Sequence, residues 1–174
     1  MENDRFEQML TGGHPNSLGR TVEVVDRILA EPARLAELYG CYFSTDAVVR
    51  LRTSSALKRI AFVHPQWLVP YLDRLLTEVA RIDQASAQWT LAQLFGIIQP
   101  FMTQDQDQQA IAVLKHNLDH NADWIVLITT MQTLAEWSPK DEQLKAWLRL
   151  RLDKLTQDRR KSVAGRAQKL QAQL

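Results

Sequence analysis

Apolar residues along this chain fall into helical stripes that repeat. In the stretch 46–60, small or apolar residues occupy Val49, Thr53, Ala56, Leu57 and Ile60. Those offsets of 0, 4, 7, 8 and 11 line one face of an α-helix. The same register returns at Ala87, Leu91, Leu94, Phe95 and Ile98, and again at Val126, Thr130, Thr133, Leu134 and Trp137. A fourth copy reads Val163, Ala167, Leu170 and Leu174, with Gln171 its one polar departure. Successive starting points lie 38, 39 and 37 residues apart. A unit of that length is too small to bury its own apolar face, so the copies are expected to stack on one another.

The intervening segments predict a partner helix for each copy and a cap before the first. Residues 2–10 read as a short amphipathic helix ended by Gly12-Gly13. His14-Pro15-Asn16-Ser17 reads as a loop whose side chains cap a helix with Val22, Val25, Ile28 and Leu29 on its apolar face. Pro32 opens a helix carrying Leu35, Leu38, Tyr39 and Tyr42 and leading to Ser44-Thr45-Asp46. Beyond His64-Pro65, a proline-broken entry leads to Leu72, Leu75, Leu76 and Val79. Asp83 is expected to cap a helix running to about Gln99, where Pro100 stops it, and Thr103 to cap one over 104–118. Asp119-His120-Asn121 then reads as a loop, followed by helices over 123–137, 141–155 and 160–174. The expectation is one all-α domain over 1–174, a right-handed α-α superhelix with an N-terminal cap in 1–31 and four helix pairs in 32–174.

Asp46, Val49, Arg50, Ala56 and Leu57 resemble the second-helix signature of HEAT repeats, an aspartate followed by valine-arginine and later alanine-leucine. The resemblance covers roughly Pro32 to Leu174. In that family the aspartate and arginine form a ladder between neighbouring repeats. Here Asp83 and Asp123 keep the aspartate position and Asp158 lies close to it, while the arginine position becomes Gln88, Leu127 and Ala164. The resemblance therefore implies a single rung, Arg50 with Asp83 or Asp46. It implies a fold and no particular activity, because HEAT repeats serve many unrelated functions.

Opposite the apolar stripe, offsets 2, 3, 6 and 10 of each copy are expected to align on the concave face of a HEAT-like stack. They read Leu51, Arg52, Ser55, Arg59; then Trp89, Thr90, Gln93, Ile97; then Ile128, Thr129, Gln132, Glu136; and last Gly165, Arg166, Lys169, Gln173. A tryptophan ringed by Arg, Gln and Thr has the composition of a recognition patch. Arg52, Arg59, Trp89, Gln93, Thr129 and Gln132 are therefore the candidate binding residues, centred on Trp89. The function expected is a non-catalytic scaffold for a protein or peptide partner.

Charge adds an alternative. Residues 140–174 hold 10 Lys or Arg against 4 Asp or Glu, whereas the first 139 hold 11 against 16. Arg159, Arg160, Lys161, Arg166 and Lys169 make the last repeat basic, either as a solvated outer cap or as a patch for nucleic acid. DNA alkylation-repair glycosylases built from HEAT-like repeats are the architectural analogy. A body of net charge −5 argues against a long DNA track. HEAT-like repeats also occur in bilin-attachment proteins, but no motif here singles that role out.

With 45% hydrophobic and 24% charged residues, the 174-residue chain has an ordinary globular composition. Its one cysteine, Cys41, excludes an intrachain disulfide and is expected as a packed core thiol. Met-Glu-Asn-Asp-Arg-Phe has neither the basic start nor the apolar run of a signal peptide, and no 18-residue apolar run suggests a membrane span, so the expected location is cytoplasmic. His116 and His120, four apart with Asp119 between, put two imidazoles on one helical face, as in zinc hydrolases. Asp119 stands where the inverted zinc motif has glutamate, and no third ligand follows, so no metal is expected. There is no glycine-rich phosphate loop, Gly-x-Ser-x-Gly elbow or cysteine pair, and neither a cofactor nor catalysis is expected.

Overall fold

The computed structural model describes residues 5–174, so positions 2–4 of the first expected helix lie outside the described residues. Those described form ten α-helices and no strand. They are α1 (Phe6–Leu10), α2 (Thr21–Ala30), α3 (Leu35–Gly40), α4 (Ala47–Val63), α5 (Leu72–Thr77), α6 (Ala85–Ile98), α7 (Gln104–His120), α8 (Trp124–Trp137), α9 (Glu142–Leu155) and α10 (Lys161–Gln171). Short 3₁₀ segments flank α3 and α5 on both sides and follow α6 and α8, that before α5 being seven residues long. Pro32, Pro65, Pro100 and Pro139 each sit at the start of such a turn, where the missing N–H leaves no bond unmade.

The helices alternate between two rows. α2, α4, α6, α8 and α10 each pack against the next and form an inner row. α3, α7 and α9 each lie against the inner helix that follows, and α5 leads through its 3₁₀ turn onto α6. The register read from the sequence is the core of this arrangement. Val49, Thr53, Ala56, Leu57 and Ile60 of α4 are all buried, as are all five register residues of α6 and all five of α8. In α10, Val163, Ala167 and Leu170 are buried and Leu174 packs partly against them.

Five local expectations are corrected. α2 buries Thr21, Val24, Val25 and Ile28, leaving Val22 and Leu29 exposed, because its i, i+3, i+4, i+7 stripe faces its neighbours α1 and α4 one position off the predicted one. Its N-cap is Arg20, whose side chain pairs with Glu23 and makes no capping bond, and Ser17 Oγ instead accepts from the Gly19 amide within the loop. Asp83 does not cap α6. The N-cap there is Gln84, whose side chain is drawn away to Arg50 Nε at 2.7 Å and the Ala47 carbonyl at 3.0 Å. The inter-repeat rung is therefore Arg50 with Gln84, and Arg50 also donates to the Ser44 carbonyl. Finally, α7 runs on through Asp119 and His120 before Asn121 ends it.

Asp46, Asp123 and Asp141 accept from backbone amides two or three residues on, and Thr103 with Gln106 forms a reciprocal capping box. Gln88 donates to the Ala80 and Ile82 carbonyls and accepts from buried Asn117 at 2.7 Å, which ties α6 to α7. Cys41 is buried and donates to the Glu37 carbonyl, and burial pushes its thiol pKa up to about 12. No helix among the described residues is long and apolar enough to cross a membrane.

Candidate functional site

Between α1 and α2 the chain runs over residues 11–20 without helix and lies across the inner row. This strap is fastened by Arg52, which projects from α4. Its guanidinium and Nε donate to the carbonyls of Leu10, Thr11, Gly12, His14 and Ser17 at 2.6 to 3.3 Å. Arg52 is left only 2% exposed. Gly12, Gly13 and Gly19 take positive φ, Gly12 offers its carbonyl to Arg52, and at Gly19 a Cβ would stand 2.8 Å from Arg52 Cζ. The candidate binding residue Arg52 is thus an internal fastener, with its donors committed to the chain's own backbone.

Beside the strap, a recess of about 190 Å³ is lined by Pro15, Leu18, Leu51, Ser55, Lys58 and Trp89. Trp89 is half-buried there, under the strap's edge. A cleft of about 500 Å³ lies further along the inner row and shares Lys58 with that recess. Its walls come from the row's last four helices: Lys58 and Phe62 of α4, Gln93 and Ile97 of α6, Ile128, Thr129, Gln132 and Glu136 of α8, and Arg166 of α10. Residues about 110 positions apart line one cleft because the four helices pack side by side.

The cleft is apolar at its middle and polar at one side. Phe62 is 69% exposed at the C-terminal end of α4, and Ile97 and Ile128 are half-buried. Arg166 Nη1 donates to Gln132 Oε1 at 2.9 Å, and Gln132 Nε2 donates to Glu136 Oε1 at 2.7 Å. Gln93 Oε1 is buried without a hydrogen-bond partner. Such an acceptor is costly to leave unpaired.

The sequence-derived candidates divide accordingly. Gln93, Thr129 and Gln132 line the cleft together; Trp89 belongs to the smaller recess; Arg59 is exposed and lines neither. Phe62 and Lys58 were absent from the candidate set because offsets 9 and 13 were not counted as concave. The signal that marks Phe62 is a large apolar residue just past the core register, next to Val63, at a helix end. The basic cluster also divides. Arg160 is tied to Asp158 through Nη2 at 2.7 Å and to the Ala122 carbonyl, and this pairing holds the Asp158 carboxyl down to about 2. Arg166 faces the cleft, and Arg159, Lys161 and Lys169 are exposed.

His116 and His120 stack with ring centroids 4.4 Å apart on the wall of another recess, of about 660 Å³, between α7 and the turn before α6. His120 Nδ1 lies 2.9 Å from the His116 carbonyl. Among the described residues no group of three His, Cys, Asp or Glu side chains converges for a metal. Asp119 is paired instead with Arg151.

The class these features define is an all-helical protein with a mixed apolar and polar cleft across its inner row. Compared with protein-family models, curated proteins and solved structures, the chain finds no match.

Proposed function

We propose that this protein is a non-catalytic scaffold, a HEAT-like right-handed superhelix of a cap and four helix pairs that binds a protein or peptide partner in the cleft of its inner, concave row. The observation that carries the reading is the cleft itself. It offers an exposed aromatic, two isoleucines and a polar edge within about 500 Å³, the mix in which binding hot spots occur. Its polar groups bond mainly to one another, Arg166 to Gln132 to Glu136, which suits recognition better than proton transfer. The site centres on Phe62 and Gln132, with Trp89 in the smaller recess beside it.

The test is comparative capture from native lysate with wild type, Phe62→Ala and Arg159→Ala. A partner retained by wild type and Arg159→Ala but weakened at least tenfold by Phe62→Ala supports the cleft. Binding that survives Phe62→Ala and fails on neutralising Arg159, Lys161 and Lys169, with a steep loss in salt, overturns it in favour of a nucleic acid or acidic surface.

A further inference from the structure

We infer that the partner of the cleft is a non-helical polypeptide segment, and that Arg166 grips its main-chain carbonyls as Arg52 grips those of the strap. This rests on the cleft being the binding site. Three observations carry it further.

The first is positional. Arg52 lies three residues after the register position Val49, and Arg166 lies three residues after Val163, so the two arginines hold the same place on the second and last helices of the inner row. At the intervening equivalents stand Thr90 and Thr129, neither able to present a fork of donors.

The second is what Arg52 does. All five of its bonds go to backbone carbonyls, and none goes to a carboxylate or another side chain. Four of the five acceptors lie in irregular chain and the fifth, Leu10, is the last residue of α1, since a helix spends all but its final carbonyls internally. The strap thus displays, within the molecule, a polypeptide seated on this row.

The third is the state of Arg166. It faces the cleft half-buried, with one hydrogen bond to Gln132 and no carboxylate in salt-bridge range among the described residues. A guanidinium has five N–H donors, so most of those on Arg166 remain for a ligand. Lys58 lines both the recess beside the strap and the cleft, so the path from strap to Arg166 is continuous. Carbonyls bind Arg166 while apolar side chains of the segment fill the space against Phe62, Ile97 and Ile128.

The experiment uses the full chain and a displayed library of random linear twelve-residue peptides, selected on wild type and counter-selected on Thr129→Trp, which fills the cleft without adding a donor fork. Affinities of the selected peptides are then measured for wild type, Arg166→Ala and Arg166→Lys at two salt concentrations. Thermal melts of each variant confirm that it is folded. Expected are peptides that bind wild type, lose at least tenfold with both Arg166 variants because lysine lacks the fork, and weaken little with added salt because carbonyls are uncharged. Peptides that require an open cleft but bind both Arg166 variants as well as wild type overturn this inference and leave the cleft reading standing. A tenfold loss that lysine restores and salt abolishes also overturns it, pointing to carboxylates. Peptides that never distinguish wild type from Thr129→Trp remove the cleft reading and this inference together.

Discussion

Arg52 is a buried cation balanced by carbonyl dipoles, with no carboxylate among its bonding partners. Replacing it with methionine keeps the stem and removes the donors. The strap's carbonyls are near solvent and regain water, so the expected global loss is only about 1–3 kcal/mol. The local effect is larger: limited proteolysis should cut Arg52→Met within residues 11–20 while wild type resists. Gly19→Ala should mimic it, since a left-handed φ of 50° and a Cβ against a pinned guanidinium cost about 1–3 kcal/mol together. Equal proteolysis of all three proteins would show the strap is held by something else. At offset 3 of its helix Arg52 reads as a surface residue, and nothing local says that a segment about 40 residues earlier will cover it.

Asp158 makes a residue-scale prediction of its own. Its hydrogen bonds to the Arg160 side chain and amide hold its folded pKa at about 2, against about 3.9 for an unperturbed aspartate. A depressed carboxyl stabilises the fold above the unfolded pKa and loses that contribution as pH falls through the folded one. The melting temperature of wild type should therefore exceed that of Asp158→Asn near neutral pH, with the gap closing between about pH 4 and about pH 2. A gap that persists at the acid end would assign the effect to something other than the ionised pair.

At the scale of elements, the repeating register makes equivalent residues comparable. Leu57 of α4 and Leu134 of α8 occupy offset 8 and are both buried. Truncating either to alanine should cost about 2–5 kcal/mol by lost transfer energy and a residual cavity. Urea midpoints read this directly, and an unchanged midpoint for either would remove that residue from the core. Thr103→Ala should cost about 0.5–2 kcal/mol, since it opens both bonds of the α7 capping box. Element type was legible because burial of one helical face leaves a strong periodic mark. Ends were less so where tertiary partners compete: Gln84 displaces Asp83 as the α6 N-cap because its side chain bonds to α4, a preference no local window contains.

For the whole molecule, the cleft is the consequence of stacking. Phe62→Ala should weaken partner binding at least tenfold, and Trp89→Ala distinctly less, because Trp89 stands in the smaller recess beside the strap. Titration calorimetry with any selected peptide ranks the two, and the reverse order would return the site to Trp89. By itself the sequence determined that the chain is helical, which residues form the buried face of each inner helix, and where most helices begin. Those properties follow from local periodicity and capping chemistry, which act over one or two turns. Only the tertiary structure decided that the strap folds over α4, that Arg52 is spent there while its equivalent Arg166 is not, and that Phe62, Gln93 and Gln132 share one cleft. Those depend on contacts between residues tens of positions apart, whose pairing is set by how the helices pack rather than by any spacing along the chain.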